Sequence, residues 1–127
     1  MIYLDTHVVV MLHEAWTEQI PAKVRKLIET SERILISPMV QLELEYLFEL
    51  KKMDLNPTEL LNHLADDIAL EVCSLPFKIV AAKAAKQHWT RDPFDRIITA
   101  QAAVDGLPLL TKDRLILDNY EHAVWNL

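Results

Sequence analysis

Residues 1–12 read Met1-Ile2-Tyr3-Leu4-Asp5-Thr6-His7-Val8-Val9-Val10-Met11-Leu12. A short apolar run that ends in a carboxylate and is followed by a second apolar run predicts a buried first strand that delivers Asp5 to the edge of a core. Asp5 or Thr6 then caps a helix over about Val8 to Trp16. Solubility does not call for an acid at that point. Whether other carboxylates come to meet Asp5 therefore decides what the chain can do.

The same alternation continues downstream. A second, more polar helix is expected after Pro21, through Val24, Leu27 and Ile28. Ile34-Leu35-Ile36 reads as a short buried strand, with Ser37 as N-cap and Pro38 at the first helical position of a helix from Met39 to about Lys52. Asn56-Pro57 with Glu59 starts another, carrying Leu60, Leu61 and Leu64. A third strand is expected within Ile68 to Leu75. Pro76 then leads to a helix over Ile79 to Lys86, whose small residues Ala81, Ala82 and Ala85 suit close packing. Asp92-Pro93 opens a helix through about Val104, closed by Asp105-Gly106, and Leu107 to Leu110 forms an apolar strand ending at Thr111. The tail from Asp113 supplies a short helix and an edge strand around Ala123 to Trp125. Strands alternating with helices predict an α/β fold, a three-layer α/β/α sandwich with a short, mainly parallel central sheet. The pattern leaves the strand order open.

The 127 residues are expected to form one domain, 1–127, with 51% apolar and 25% charged side chains and a single glycine, Gly106. One cysteine, Cys73, excludes an internal disulfide framework and a thiolate metal cluster, and its mixed apolar setting assigns it to packing. The apolar run Val8 to Leu12 is far shorter than the ~18 residues a bilayer span needs, so the expected location is cytoplasmic, with no membrane partner. A formal charge of -6 opposes nonspecific nucleic-acid binding through the overall field. A divalent ion in an acidic cleft would invert that charge locally.

Nineteen acids make most single carboxylates uninformative. Glu43 stands out because its helical neighbours are Met39, Tyr46, Leu47 and, a turn further, Leu50, an apolar face. Glu45 lies instead beside Glu49 near Lys52, a flank suited to solvent. A boundary Glu43 paired with an arginine fits the same pattern. Asp92 can cap its helix, Asp95 occupies the acidic position of a capping box, and Arg96 stands four residues after Asp92 and can pair with it. Asp95 also shares a small, inward face with Ile98, Thr99 and Ala102 near a helix N-terminus, where the backbone favours negative charge. Either Thr111 or Asp113 can cap the terminal helix. Alternatively, Asp113 sits at the carboxyl end of the sheet, the ligand side of an open parallel fold, together with Asp5.

Asp5, Glu43, Asp95 and Asp113 thus form a candidate constellation. Oxygen-only donors without cysteine suit Mg²⁺ or Mn²⁺ rather than structural zinc. Clustered carboxylates repel one another and resist burial, and a divalent ion removes that conflict while orienting a phosphodiester. This is nuclease chemistry, and it needs no histidine. His7 is read as a satisfied structural residue, and His13, His63 and His122 have no metal-binding spacing. Trp16, Trp89 and Trp125 are assigned to packing or a protein interface.

The segments IYLDTHVVV, ISPMVQLELEYL, RDPFDRIITAQA and LPLLTKD, in this order, resemble the PIN-domain family, specifically the small toxins of VapBC-type toxin–antitoxin systems, over essentially the whole chain. The resemblance implies a PIN-like sandwich whose acidic quartet, Asp5, Glu43, Asp95 and Asp113, binds Mg²⁺ or Mn²⁺, with the hydroxyls of Thr6, Ser37 and Thr111 supporting the site. It implies a metal-dependent endoribonuclease that hydrolyses RNA to a 5′-phosphate and a 3′-hydroxyl, a small cognate VapB-like antitoxin, and a homodimer. One departure is visible: the related subgroup carries a histidine directly before Arg-Asp-Pro-Phe-Asp, where this chain has Thr90, with His88 two positions earlier. Arg91 and Arg96 would meet phosphate, the antitoxin or ordinary salt-bridge partners.

Two other classes compete. A catalytically silent RNA-binding or regulatory PIN-like module would carry the same fold. A phosphotransferase using Asp5 as nucleophile lacks a second acid two positions on, where His7 stands. A P-loop is excluded by the single glycine.

Overall fold

The computed structural model describes residues 1–13 and 16–126, the side chains of residues 16 and 17 excepted. Strand β1 (Ile2–Leu4) has all three side chains buried, the signature of a strand covered on both faces and flanked on both sides. It is followed by α1 (Thr6–His13), α2 (Ala22–Thr30), β2 (Ile34–Ile36), α3 (Pro38–Glu49), α4 (Pro57–Ile68), β3 (Glu71–Val72), α5 (Phe77–Ala84), α6 (Pro93–Ala103), β4 (Leu109–Leu110), α7 (Arg114–Asn119) and β5 (Ala123–Val124). The sheet order is β3-β2-β1-β4-β5, with every described pairing parallel. Tyr3 aligns with Leu35 on one side and Leu109 on the other, so β1 is the central strand. Helices flank this parallel sheet, the expected α/β/α arrangement. Among the described residues, no helix is long and apolar enough to cross a membrane.

Local chemistry explains the helix starts. Ser37 accepts from the Met39 N–H at 3.1 Å, Asn56 from Thr58 at 2.8 Å, and Asp92 from Phe94 at 2.8 Å, each followed by proline at the first helical position. Gly106, at φ +65°, closes α6 in the left-handed region that a side chain would strain. At the end of α3 the same conformation falls on Lys51 at φ 59°, and the Lys52 N–H donates to the Leu47 carbonyl at 2.9 Å.

The core joins both strand faces to the helices. Leu4, Ile36, Leu44, Leu60, Ile98, Leu110 and Ile116 are fully buried, each contributing roughly 1.5–3 kcal/mol of transfer free energy. Trp89 and Trp125 pack against it, as does the half-buried Cys73, whose Sγ lies 3.0 Å from the Tyr3 hydroxyl. Trp16 falls where side chains are not described.

Two local expectations change. The first helix begins at Thr6 rather than Val8, because the Asp5 carbonyl already accepts from the Val8 and Val9 N–H groups, and its described regular turns end at His13. The expected continuation toward Trp16 crosses residues 14 and 15, outside the described residues. On α5 the buried face is Val80 and Ala84, packed on Ala100 of α6, while Ala82 and Ala85 are exposed and Ala81 is half-buried. A helix rich in alanine offers several equally small faces, and only its partner α6 selects one.

Candidate active site at the carboxyl edge of the sheet

In the order β3-β2-β1-β4-β5, the connections leaving β1 and β4 diverge in opposite directions, opening a crevice at the carboxyl ends of these neighbouring strands. Asp5 follows β1 directly, and Thr111 follows β4 directly. The two meet across the crevice, where the Thr111 hydroxyl donates to Asp5 Oδ2 at 2.6 Å. The Thr6 N–H donates to Asp5 Oδ1 at 2.7 Å. Asp5 is only 3% exposed and has no ion-pair partner among the described residues. Burial pushes its carboxyl up, the Thr111 and Thr6 bonds oppose that shift, and Asp113 reinforces it.

Glu43 comes from α3 and is half-buried. The Thr6 hydroxyl donates to its Oε1, so the first turn of α1 holds Asp5 through its backbone and Glu43 through its side chain. No arginine pairs with Glu43 among the described residues. Burial raises its pKa, the Thr6 bond lowers it, and Asp5 and Asp92 raise it further. Glu45 lies on the other flank, where a hydrogen bond with Glu49 raises its pKa.

Asp95 enters from the first turn of α6. It does not complete a capping box: the Asp92 N–H goes instead to Thr90 Oγ1 at 3.1 Å, leaving the Asp95 carboxylate uncommitted to the cap. Burial, then the charges of Asp92, Asp113, Asp5 and Glu43 in that order, lift its pKa to about 7. Asp113 performs both of its expected roles. Its Oδ1 caps α7 at 2.9 Å from the Leu115 N–H, and its N–H donates to Thr111 Oγ1 at 3.0 Å, which keeps it beside the Asp5–Thr111 pair.

The four predicted acids therefore share one electrostatic environment, and none has a cationic neutralising partner in the described residues. They do not close into a cage: among the described residues, no group of three Asp, Glu, His or Cys side chains is placed to hold a metal ion. The donor set still fits a hard divalent cation by its chemistry, being all carboxylate, partly desolvated and mutually repulsive.

Other expectations are redirected. Arg96 does not pair with Asp92; its guanidinium donates to the Ala84 and Ala85 carbonyls at 3.2 and 3.0 Å, satisfying the C-terminus of α5. Arg91 makes none of the described ion pairs. His7, expected to be a satisfied structural residue, is exposed, and its proximity opposes the upward displacement of both Asp5 and Glu43. Ser37 is buried and donates to Gln101 Oε1 at 2.9 Å, so it steadies the junction of α3 and α6 rather than an acid. The sequence understated Asp92: capping explains its position, but its charge also bears on Glu43 and Asp95, as its three-residue spacing from Asp95 on one helical turn allows.

Residues 2–121 match the PIN domain. The chain belongs to the PIN-domain family. Among solved structures this PIN domain is similar to a chain of VapBC2 from Rickettsia felis bound to a DNA fragment from their promoter, with a TM-score of 0.63 and 16% sequence identity, covering 98% of this chain and 96% of that one. At that identity the likeness is one of fold. Comparison with curated proteins yields no match.

Proposed function

We propose that this PIN domain is a metal-dependent endoribonuclease and the toxin of a VapBC-type toxin–antitoxin pair. The observation that carries the proposal is the set of four unneutralised carboxylates around the β1/β4 crevice, where Asp95 is held at a pKa of about 7 by burial and by its acidic neighbours. Asp5, Glu43, Asp95 and Asp113 would hold Mg²⁺ or Mn²⁺. The bound ion would supply charge neutralisation and Lewis acidity at a phosphodiester.

The protein's own groups orient this machinery. Thr111 and the Thr6 N–H fix both oxygens of Asp5, Thr6 fixes Glu43, and the α7 cap fixes one oxygen of Asp113 while leaving the other unused by the cap. In the hydrolysis, a water oxygen bonds to phosphorus, the P–O3′ bond breaks, and the 3′ oxygen leaves protonated. Purified protein should cleave single-stranded RNA with Mg²⁺ or Mn²⁺, stop on addition of EDTA, and leave 5′ ends that a 5′-phosphate-dependent exonuclease degrades. RNA left intact under both metals would defeat the proposal. Binding without cleavage would favour the silent RNA-binding module, a reading supported by the open spacing of the acids.

The proposal includes two protein partners, a small VapB-like antitoxin and a second copy of the chain. Support for an interface comes from a cavity of about 230 Å³ bounded by Met39, Leu42, Phe77 and Ile97, where Leu42 is 57% and Phe77 64% exposed. The buried Nε2 of Gln101 at this cavity lacks a described hydrogen-bond partner. If the homodimer uses this face, Leu42→Glu and Phe77→Glu proteins will elute as monomers that keep the wild-type circular dichroism, because both side chains are exposed. Light scattering that shows the wild-type mass for both variants would place the interface elsewhere.

A further inference from the structure

A second cavity, of about 220 Å³, opens beside the acids and has the opposite charge. His7, Lys52 and Lys112 line it together with the aliphatic side chains of Met11, Leu47 and Met53. Each wall leads to the carboxylates. His7 follows Thr6, which holds Asp5 and Glu43. Leu47 lies one turn beyond Glu43 on α3. Lys112 separates Thr111, the Asp5 hydrogen-bond donor, from Asp113.

Lys52 and Lys112 make no ion pair among the described residues, although the chain carries more acids than bases. The position of Lys52 is structurally determined. Lys51 adopts a left-handed conformation unfavourable for a non-glycine residue, and the turn it makes returns the Lys52 N–H to the Leu47 carbonyl.

We propose that this cavity is a subsite for the nucleotide next to the cleaved bond, with Lys52 and Lys112 meeting that nucleotide's phosphate and the aliphatic wall covering its sugar and base. The proposal rests on the nuclease reading. A chain of net charge -6 repels a polyanion, so a phosphate beyond the reach of the acid-bound metal requires fixed cations beside the acids. The cavity provides two lysines there, each a flexible point charge. Among the described residues its wall contains no tryptophan, tyrosine or phenylalanine, so the contact these residues offer the base is apolar and tolerant of base identity.

The test is fluorescence anisotropy with a labelled single-stranded RNA of 12 nucleotides in EDTA. Asp95→Asn protein serves as parent, so that hydrolysis is absent and acidic repulsion is reduced. Adding Lys52→Ala and Lys112→Ala together should weaken binding about tenfold and reduce the slope of log K against log salt by about 0.7, the contribution of the one single-strand phosphate the two lysines share. The control pair Lys23→Ala and Lys26→Ala on the exposed face of α2 should match the parent. If the parent binds RNA and the cavity variant binds equally well with the same slope, the subsite is wrong while the nuclease reading stands. If the parent binds no RNA at low salt, the subsite is also wrong, and wild-type cleavage with Mg²⁺ decides the nuclease reading separately.

Discussion

Asp95→Asn is expected to lower Mg²⁺-dependent RNA cleavage by roughly 10³-fold, equivalent to about 4 kcal/mol of transition-state stabilisation. The substitution keeps the shape of the side chain and removes one charge from the acidic set. It spares the start of α6, because Asp92 rather than Asp95 accepts the capping bonds from Phe94 and Asp95 N–H groups. Asp5→Ala should lose activity to a similar extent but is a harsher change, since it leaves the Thr111 hydroxyl and the Thr6 N–H without their acceptor. The decisive measurement is the initial cleavage rate of repurified variants whose circular dichroism and melting curves show intact folding. Wild-type rates in both folded variants would remove these acids from the reaction.

The metal-free protein should melt at a higher temperature at pH 5.5 than at pH 8. Asp95 titrates near 3.8 when unfolded and at about 7 when folded. Between those values the folded state retains a proton that the unfolded state has released, so stability falls as pH rises through that window. Above about pH 7 the full penalty of a charged, crowded Asp95 is present. Asp5 and Glu43 are displaced in the same direction and add to the slope. Asp95 is half-exposed, so solvent screening reduces its share to about 1–2 kcal/mol, which corresponds to roughly 3–10 °C in a domain of this size.

Mg²⁺ should reverse the pattern, raising the melting temperature at pH 8 and having little effect at pH 5.5, where protons compete for the same oxygens. Asp95→Asn should itself melt higher than wild type at pH 8 without metal and show a shallower pH dependence. Differential scanning fluorimetry across this range is sufficient. A melting temperature that rises from pH 5.5 to 8 in the metal-free wild type would contradict the electrostatic description of the site.

Much of the fold was legible because its signals are local. Ser37-Pro38, Asn56-Pro57 and Asp92-Pro93 each place a side-chain acceptor next to a residue with no N–H to satisfy, and all three start helices where expected. The runs Ile2–Leu4 and Ile34–Ile36 are apolar at every position, which suits a strand covered on both faces. The acids were legible for a related reason: Asp5 and Asp113 each follow an apolar strand, and Glu43 shares a helix face with Met39 and Leu47.

The errors concern which partner or face a side chain takes once the helices are packed. Arg96 has an acid four residues away, yet it binds carbonyls of α5 because packing of α5 against α6 brings those unsatisfied groups within reach. The capping box at Asp92 fails because its N–H donates to the Thr90 hydroxyl instead. The expectation that His7 is a satisfied structural residue did not foresee its exposure: one residue is a rotation of about 100° on a helix, enough to turn His7 to solvent while Thr6 and Val8 are buried.

By itself the sequence determined the element order, the helix caps and the parallel α/β class, because propensity, capping and burial pattern act over a few residues, and it nominated four of nineteen acids as candidates. Tertiary structure alone decided the order β3-β2-β1-β4-β5, which makes Asp5 and Thr111 neighbours although they are 106 residues apart. It also decided the elevated pKa of Asp95 and the basic cavity formed by His7, Lys52 and Lys112. Charge interactions depend on distance through space and on exclusion of water, and neither is defined until the chain has closed around its central strand.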